Sequence, residues 1–435
     1  MNFHMIFAIA IFAVVYVFIT TEYINKTIAV LVGSALVIIL GVINKENVFN
    51  VIDWNVIFLL ISMMIIVGIT KRSGLFQYVA IKASKIAKGD PVKIIIMLFI
   101  ITGLFSAFLD NVTTVLILTP VTILIAVELG LSPIPFIISQ AIASNIGGTA
   151  TLIGDPPNIM IGSAIGLSFN DFITNQSLIV IIMMIVTLFV VLLKYKKQLI
   201  VTQEKKARIM DFNENKAIKD FPLLIKSLIV LALVISGFIL HDTVHLDASI
   251  IALSGASLLM LLSVFPKNEK SEEIAEEFYK EVEWGTIFFF IGLFILVDGL
   301  VQVGVIKKIA EYMIDATKGN IFFTTNIILW ASGFFSAFID NIPYVATMIP
   351  ILKEVGNNIP FQEMEPVWWA LSVGACIGGN GTLIGASANV VSAGIAKKSG
   401  YNISFIEFTK IGGITTVINL FVATIYFYIR YFMFT

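Results

Sequence analysis

The stretch Asn145–Gly162 reads NIGGTATLIGDPPNIMIG and lies between apolar arms of a strongly apolar chain. An uninterrupted helix cannot run through it, because Pro156 and Pro157 lack N–H donors and its glycines loosen the backbone. In hydrocarbon, such a backbone persists only where it is buried in protein or lines a wet cavity. The stretch therefore predicts a broken membrane helix that forms part of a site.

The same pattern occurs twice, because Cys376–Gly394 reads CIGGNGTLIGASANVVSAG. Upstream of the two breaks, FSAFLDN at 105–111 matches FSAFIDN at 335–341. Trp54 and Gly74 match Trp284 and Gly304 at the same offset of 230. The matches predict a duplicated unit of about 200 residues. At an offset of 231, the positions Gly147, Gly148, Thr151, Leu152, Ile153, Gly154 and Asn158 fall on Gly378, Gly379, Thr382, Leu383, Ile384, Gly385 and Asn389.

The composition is that of a membrane protein. Of the 435 residues, 58% are hydrophobic and 13% are charged, whereas soluble chains carry about 25% charged residues. Repeated apolar runs of about 17–20 residues predict many helices that cross a lipid bilayer. A net charge of −1 gives no case for nucleic-acid binding. The single Cys376 excludes a disulfide framework and a multi-cysteine metal site, and the three histidines are scattered.

Each half is expected to cross the membrane five times and to contain one apolar hairpin. The hairpins are predicted at 93–128 and 321–353, each with an Asp-Asn pair at its turn, and their arms of about 17 residues are compatible with re-entrant or crossing helices. Amphipathic stretches at 76–88 and 305–317 precede them. The predicted spans are 5–21, 27–43, 54–70, 133–162 (broken) and 176–193, then 222–240, 247–265, 285–301, 366–394 (broken) and 409–429.

Because five is an odd number, the two halves must be inverted relative to each other. The predicted fold is an all-α polytopic membrane protein with inverted repeats at 1–193 and 222–435 joined by a polar linker at 194–221. One orientation places 22 of the 28 Lys and Arg residues on the inside. It puts the linker in the cytoplasm and both termini outside. With no Lys or Arg before Lys26, the run Met5–Ile19 is expected to be a retained first helix rather than a signal peptide.

Intramembrane carboxylates are the main functional candidates, because charges at that depth are costly and usually functional. They are Asp110, Asp155 and Asp340, with Asp298 near a helix end. No Lys or Arg lies inside a predicted span, so the usual ion-pair partner is missing. The carboxylates must then be protonated, bound by backbone N–H groups or neutralised by a cation such as Na⁺. For Asp155, the structural alternative is a cap on the half-helix that begins at Pro156.

Neutral polar groups cluster around these carboxylates and the two breaks. Exposed carbonyls at a helix break coordinate cations, and N-terminal helix ends favour anions. The mixture suits Na⁺ or H⁺ coupling beside a small polar or anionic substrate, with no other cofactor. The candidate ligands are Asn111, Thr113, Thr114, Asn145, Gly148, Thr149, Thr151, Asn158, Asn341, Gly379, Asn380, Thr382 and Asn389.

The two halves differ at positions that matter for charge. Asp155-Pro156-Pro157 aligns with Ala386-Ser387-Ala388, and Thr113 aligns with Pro343. The first half is therefore expected to carry more of the coupling charge.

These motifs resemble the ion transporter superfamily over nearly the whole chain. The most similar branch is the P-protein permease group, which resembles ArsB-type arsenite-efflux permeases and NhaD-type Na⁺/H⁺ antiporters. More distantly, the chain resembles citrate-transporter-type divalent anion/Na⁺ symporters. The resemblance implies a non-enzymatic secondary transporter in a bacterial or archaeal plasma membrane. It also implies re-entrant hairpins, a scaffold that often dimerises and elevator-type movement of the hairpin domain. The motifs that carry it are Asp110–Thr114, Asn145–Asn158, Asp340–Pro343 and Gly378–Asn389.

The substrate stays open at this stage. Arsenite binding by three thiolates is excluded by the single cysteine, although As(OH)₃ can be held by hydroxyl and amide groups. Citrate-type members carry Ser-Asn-Thr at the hairpin tips, where this chain has Asp110-Asn111-Val112 and Asp340-Asn341-Ile342. Tip carboxylates repel a dicarboxylate unless they are protonated or cation-filled. The alternatives are a Na⁺-coupled dicarboxylate or citrate symporter and a passive anion channel. An intramembrane aspartyl protease is disfavoured, because its Gly-x-Gly-Asp signature is absent.

Overall fold

A computed structural model describes residues 3–21, 23–265 and 271–433, which form twenty-one α-helices and no strand. Lys267 and Lys270, counted above on the inner side, lie outside the described residues. The helices are α1 Phe3–Thr21, α2 Lys26–Ile39, α3 Trp54–Arg72, α4 Leu75–Ile86, α5 Pro91–Phe108, α6 Asn111–Glu128, α7 Ile134–Gly148, α8 Pro156–Ile165, α9 Phe169–Tyr195, α10 Gln203–Met210, α11 Phe221–Ile239, α12 His241–Val244, α13 Ala248–Val264, α14 Ser271–Lys280, α15 Trp284–Gln302, α16 Val305–Thr317, α17 Ile321–Ser336, α18 Asn341–Val355, α19 Phe361–Gly378, α20 Ser387–Lys398 and α21 Phe405–Phe427.

The predicted all-helical membrane architecture is confirmed. Within the described ranges, eight helices are long and apolar enough to cross a membrane: α1, α3, α5, α6, α9, α11, α15 and α21. Three shorter apolar helices, α2, α13 and α17, complete the pattern. Both predicted breaks are present, since α7 stops before α8 and α19 stops before α20.

The same internal contact occurs within each of the two repeats. Ser106 Oγ donates to the Ser144 carbonyl at 2.6 Å, and Ser336 Oγ donates to the Ala375 carbonyl at the same distance. These bonds join the first arm of each hairpin to the first half of the broken helix. The repeated sequence therefore encodes a repeated packing unit.

The glycine anchor of each repeat has a conformational reason. Gly74 and Gly304 take φ values of +86° and +76° directly before the amphipathic helices α4 and α16. Only glycine adopts this left-handed backbone without steric cost. The matching glycine in each repeat thus marks the turn from a membrane helix into an amphipathic helix.

The helices outside the hairpins and the broken helices, among them α1, α2, α3, α13 and α15, form a frame. In this frame α2 packs against α15, and α13 packs against α3. Thr27 Oγ1 donates to the Gly285 carbonyl at 2.9 Å, and Ser249 Oγ donates to Asn55 Oδ1 at 2.8 Å. Thr27 and Ser249 therefore hold matching places in the two repeats.

The polar linker is not detached from the helices. Lys206 Nζ lies 2.8 Å from Asp90 Oδ2, and Lys85 Nζ lies 2.6 Å from Glu214 Oε2. The Lys219 N–H donates to the Ser73 carbonyl at 2.9 Å. The linker thus covers the base of the first hairpin and its preceding amphipathic helix.

Candidate functional site

The tips of both hairpins end inside the protein, against the breaks of the broken helices. Asn111 Nδ2 donates to Asn145 Oδ1 at 3.0 Å. Asn341 Nδ2 donates to the two carboxylate oxygens of Asp155 at 3.3 and 3.2 Å. All four side chains are buried. Both tips are therefore buried at the level of the breaks, as expected for re-entrant hairpins, although α5 and α6 are also long enough to cross a membrane.

Buried asparagines connect the break of one repeat to the break of the other. Asn145 Nδ2 donates to Asn380 Oδ1 at 2.8 Å and to Asn389 Oδ1 at 3.0 Å. Asn380 Nδ2 donates to the Ile142 carbonyl at 3.3 Å. Because buried amides are costly unless they are paired, this network ties the two breaks into one unit.

Two further asparagines satisfy the carbonyls that the breaks expose. Asn158 Nδ2 lies within 3.3 Å of the carbonyls of Gly148, Thr149 and Thr151. In the second repeat, Asn389 Nδ2 donates to the carbonyls of Gly379 and Thr382 at 2.7 and 3.0 Å. Asn158 Oδ1 in turn accepts from Ser372 Oγ at 2.6 Å. These carbonyls already have donors in this conformation.

The predicted threonine ligands have varied surroundings. The Thr149 hydroxyl donates to the Asn145 carbonyl at 2.9 Å. Thr151 and Thr382 donate to the carbonyls of Ala107 and Ala337, so each fastens a hairpin tip to its break. The Thr113 N–H donates to Asp110 Oδ1 at 2.7 Å, and the buried Thr114 hydroxyl has no partner among the described residues.

A cavity of about 240 Å³ lies where the two tips meet the break of the first repeat. Four predicted site residues line it: Asp110, Asn111, Asp155 and Asn341. The remaining polar lining consists of Lys26, Glu283, Thr286 and Ser387. The cavity thus contains three carboxylates against one ammonium, which favours a cation or protons over a bare anion.

Asp155 holds the N-cap position of α8 without capping it. Its side chain accepts no hydrogen bond from the first turn of that helix and binds the Asn341 amide instead. The residue is 1% exposed. The capping alternative therefore does not explain why a carboxylate stands at this position.

Asp340 differs from the expectation that no basic residue reaches the intramembrane carboxylates. Lys26 Nζ lies 2.7 Å from Asp340 Oδ2, and Ser387 Oγ donates to the same oxygen at 2.8 Å. Lys26 is the first residue of α2, so hydropathy assigned it to the preceding loop. The expectation was wrong because the tip of a distant hairpin reaches that helix end. Asp298 binds Gln302 at 2.5 Å and does not line the cavity.

Four polar cavity residues were not predicted from the sequence: Lys26, Glu283, Thr286 and Ser387. Ser387 follows Ala386, the position that aligns with Asp155, so the repeat alignment was a usable signal for it. Glu283 precedes Trp284, which is a repeat anchor. Among the described residues, no three His, Cys, Asp or Glu side chains are grouped closely enough to hold a metal ion.

Comparisons with known proteins agree with this architecture. A family model described as citrate transporter (CitMHS) matches residues 16–374. An uncharacterized transporter of Mycobacterium tuberculosis is 43% identical over 431 residues, covering 98% of each chain. The 46 kDa membrane protein of Mycobacterium leprae is 44% identical over 431 residues, covering 98% of this chain and 99% of that protein.

A longer relative and a solved structure extend the likeness. The P protein of Homo sapiens is 34% identical over 492 residues, covering 93% of this chain and 57% of that protein. The crystal structure of the Alcanivorax borkumensis YdaH transporter, described as having an unusual topology, aligns with a TM-score of 0.58 at 14% identity. The alignment covers 88% of this chain and 87% of the other, and at that identity it bears on the fold alone. The chain belongs to the CitMHS citrate transporter family of membrane transporters.

Proposed function

We propose that this chain is a secondary active transporter in which a proton or Na⁺ bound at Asp110 and Asp155 is coupled to the movement of a small ion. The observation that carries the proposal is the cavity between the tips. Among the described residues, no basic side chain lies within 4.0 Å of either carboxylate.

The energetic argument concerns carboxylates without a cation. Even modest insertion scales assign a cost of about 2.5–3.5 kcal/mol to a bare charge at the membrane centre. The Asn341 amide and the Thr113 N–H offset part of that cost through hydrogen bonds. Binding a proton or a monovalent cation removes the charge itself. Movement of the loaded site is then more favourable than movement of the empty one, which is the basis of coupling.

The packing supports an elevator-type movement. The hairpins and broken helices share the buried asparagine network described above, so they are suited to move together. Polar contacts join the second tip to the frame. Tyr16 of α1 donates to the Pro343 carbonyl at 2.6 Å, and Lys26 binds Asp340. The hairpins and broken helices together are called the hairpin unit. Sliding of this unit against the frame would break these contacts and leave the asparagine network intact.

The substrate proposal follows the chemistry of the cavity. Its carboxylates suit Na⁺/H⁺ exchange or movement of a small inorganic species such as arsenite or antimonite. The only cysteine, Cys376, is buried with its Sγ 3.7 Å from Asn158 Oδ1, so neutral As(OH)₃ would be held by hydroxyl and amide groups.

A second candidate is symport of citrate or a dicarboxylate, which the description of the matching family favours. The three cavity carboxylates would repel such an anion unless protons or cations neutralised them first. Symport of this kind therefore also requires cation loading of the same site.

Flux in proteoliposomes tests the proposal. The purified full-length chain would be reconstituted, and uptake of ²²Na⁺, arsenite and citrate measured under imposed Na⁺ or pH gradients. We expect saturable flux of one substrate that follows one of the gradients. Gradient-independent flux together with steady single-channel currents in a bilayer would identify a passive channel and contradict the proposal.

A further inference from the structure

The Lys26 ammonium is surrounded by groups that bind cations. Its Nζ is 2.7 Å from Asp340 Oδ2, 3.1 Å from Ser387 Oγ and 5.2 Å from the centre of the Phe289 ring. A carboxylate, a hydroxyl and an aromatic face are all groups that stabilise a positive charge. Oxygen Oδ1 of the same carboxylate accepts from the Ile342 N–H at 3.3 Å. Both oxygens of Asp340 therefore have partners in this conformation.

The first repeat lacks this arrangement. Because Thr27 and Ser249 hold matching places in the frame, Lys26 corresponds to Ala248. Ser387 corresponds to Pro156 at the offset of the breaks. The tip carboxylate of the first repeat, Asp110, thus has neither an ammonium nor a hydroxyl at the equivalent positions.

We propose that Lys26 is a tethered cation that competes with the coupling ion for Asp340, so that this carboxylate is closed to external cations while the second hairpin touches α2. The inference rests on the proposed function. It assigns the two tips different tasks: Asp110 takes its charge balance from solution, and Asp340 takes it from the chain.

The position of Lys26 makes the competition dependent on the conformation. Lys26 belongs to α2 of the frame, whereas Asp340 and Ser387 belong to the hairpin tip and the break. Movement of the hairpin unit separates the ammonium from the carboxylate. Asp340 must then acquire a proton or a cation, or remain as an uncompensated charge.

The test uses the stability of the full-length protein in detergent. Melting temperatures are measured as Na⁺ replaces choline at constant ionic strength, and again across a pH series in choline alone. Among the described residues, the other charged or titratable groups near the pair are Glu283, Asp155, Asp110 and Tyr16, and they stay unchanged in every variant. The variants are Lys26→Met, Lys26→Arg and Lys26→Met combined with Asp340→Asn. Lys45→Met is the control, because Lys45 is exposed and lies beyond the end of α2 that is opposite to Lys26.

We expect Lys26→Met to gain stabilisation by Na⁺ or by acidification that is roughly twice the wild-type effect, because two sites rather than one are then linked to folding. Lys26→Arg, the double variant and Lys45→Met should keep the wild-type dependence. A Lys26→Met protein with wild-type dependence in both series would overturn the inference. So would a Lys26→Met protein that folds in neither series while the double variant folds, since no external cation would then replace the ammonium.

A further variant, Lys26→Gln, covers the case in which the double variant does not fold. Lys26→Gln keeps a donor for Asp340 but removes the charge, and the same gain is expected from it; its absence would also overturn the inference. The outcome for the proposed function is separate. Gradient-dependent wild-type flux with no gain in the Lys26 variants rejects only the competition, whereas gradient-independent wild-type flux rejects the coupling itself.

Discussion

Asn341 at the tip of the second hairpin donates to both carboxylate oxygens of Asp155 at the break of the first repeat, over 3.3 and 3.2 Å. The contact crosses the boundary between the repeats. Its counterpart on the other tip is the bond from Asn111 to Asn145, which stays within the first repeat. The break of the first repeat therefore receives both tips, and the carboxylate that this repeat alone carries lies between them.

The close approach of paired glycines predicts a sharp effect on stability. A Cβ atom on Gly147 would collide with the backbone of Gly103, and one on Gly378 would lie 2.7 Å from the Gly333 carbonyl oxygen. Gly147→Ala and Gly378→Ala should each destabilise the protein by at least about 1–3 kcal/mol, the usual cost of overpacking. Melting temperatures in detergent measure the effect. Gly394→Ala is the matched control, since its Cβ would meet nothing within 4 Å; equal losses at all three positions would contradict the packing argument.

The linker contacts predict a dependence on pH and salt. The Lys206 ammonium beside Asp90 holds the pKa of that carboxyl below its usual range, and Lys85 lowers the pKa of Glu214 in the same way. A lowered carboxyl pKa means that the contact is present at neutral pH and is lost as the pH falls through the lowered value. Hydrogen exchange in residues 203–217 should therefore rise below about pH 4 and in high salt.

A pair of variants separates this contact from general loosening of the linker. Lys206→Ala should raise exchange in the linker at neutral pH. Arg208→Ala should not, because the one ion-pair partner of Arg208 among the described residues is Glu204, one turn away in the same helix. Equal exchange in both variants would show that the bond from Lys206 to Asp90 does not hold the linker in place.

The inverted topology predicts opposite labelling of two exposed lysine positions. Lys216→Cys in the linker and Lys45→Cys between α2 and α3 would each be made in a Cys376→Ala background. Impermeant thiol reagent added to intact cells should label Lys45→Cys, while Lys216→Cys should react only after the cells are opened. Labelling of both positions from one side would contradict the arrangement of the repeats.

The elevator model predicts which cross-links stop transport. Thr347 Oγ1 lies 2.6 Å from the hydroxyl of Tyr16, so a thiol cross-linker between Tyr16→Cys and Thr347→Cys fixes the second hairpin to the frame. Flux should cease. A cross-link between Val112→Cys and Ile342→Cys, which line the same cavity on the two tips, should leave most of the flux intact. The reverse pattern would show that the tips move relative to each other.

Much of the architecture follows from local sequence. Prolines and glycines at the breaks interrupt the helices, and the motifs 230 or 231 residues apart identify the repeats. The sequence identifies Gly74 and Gly304 as matching positions of the two repeats, and their left-handed φ values give the reason for glycine at both. The breaks and turns depend on residues that are neighbours in the chain, and the repeats are visible as matching short motifs, so the sequence pattern is sufficient to predict them.

The partners of the site residues could not be predicted in the same way. Lys26 binds a carboxylate 314 positions away, and Asn145 binds an asparagine 244 positions away. Hydropathy treats Lys26 as the end of a loop, because a window along the chain contains no information about which hairpin tip arrives there. The docking of the linker on α4 and α5 depends on the same kind of distant contact.

The coupling role of Asp155 is the central claim, and one comparison tests it most directly. Flux of the transported substrate would be measured in proteoliposomes under imposed Na⁺ and pH gradients for wild type and Asp155→Asn. Asp298→Asn is the matched control, since Asp298 is also a membrane-helix carboxylate but lies outside the cavity. We predict that Asp155→Asn still transports but loses its response to the gradient, because the neutral amide no longer needs a cation, while Asp298→Asn responds as wild type does. A folded Asp155→Asn protein with the full wild-type gradient response would contradict the account.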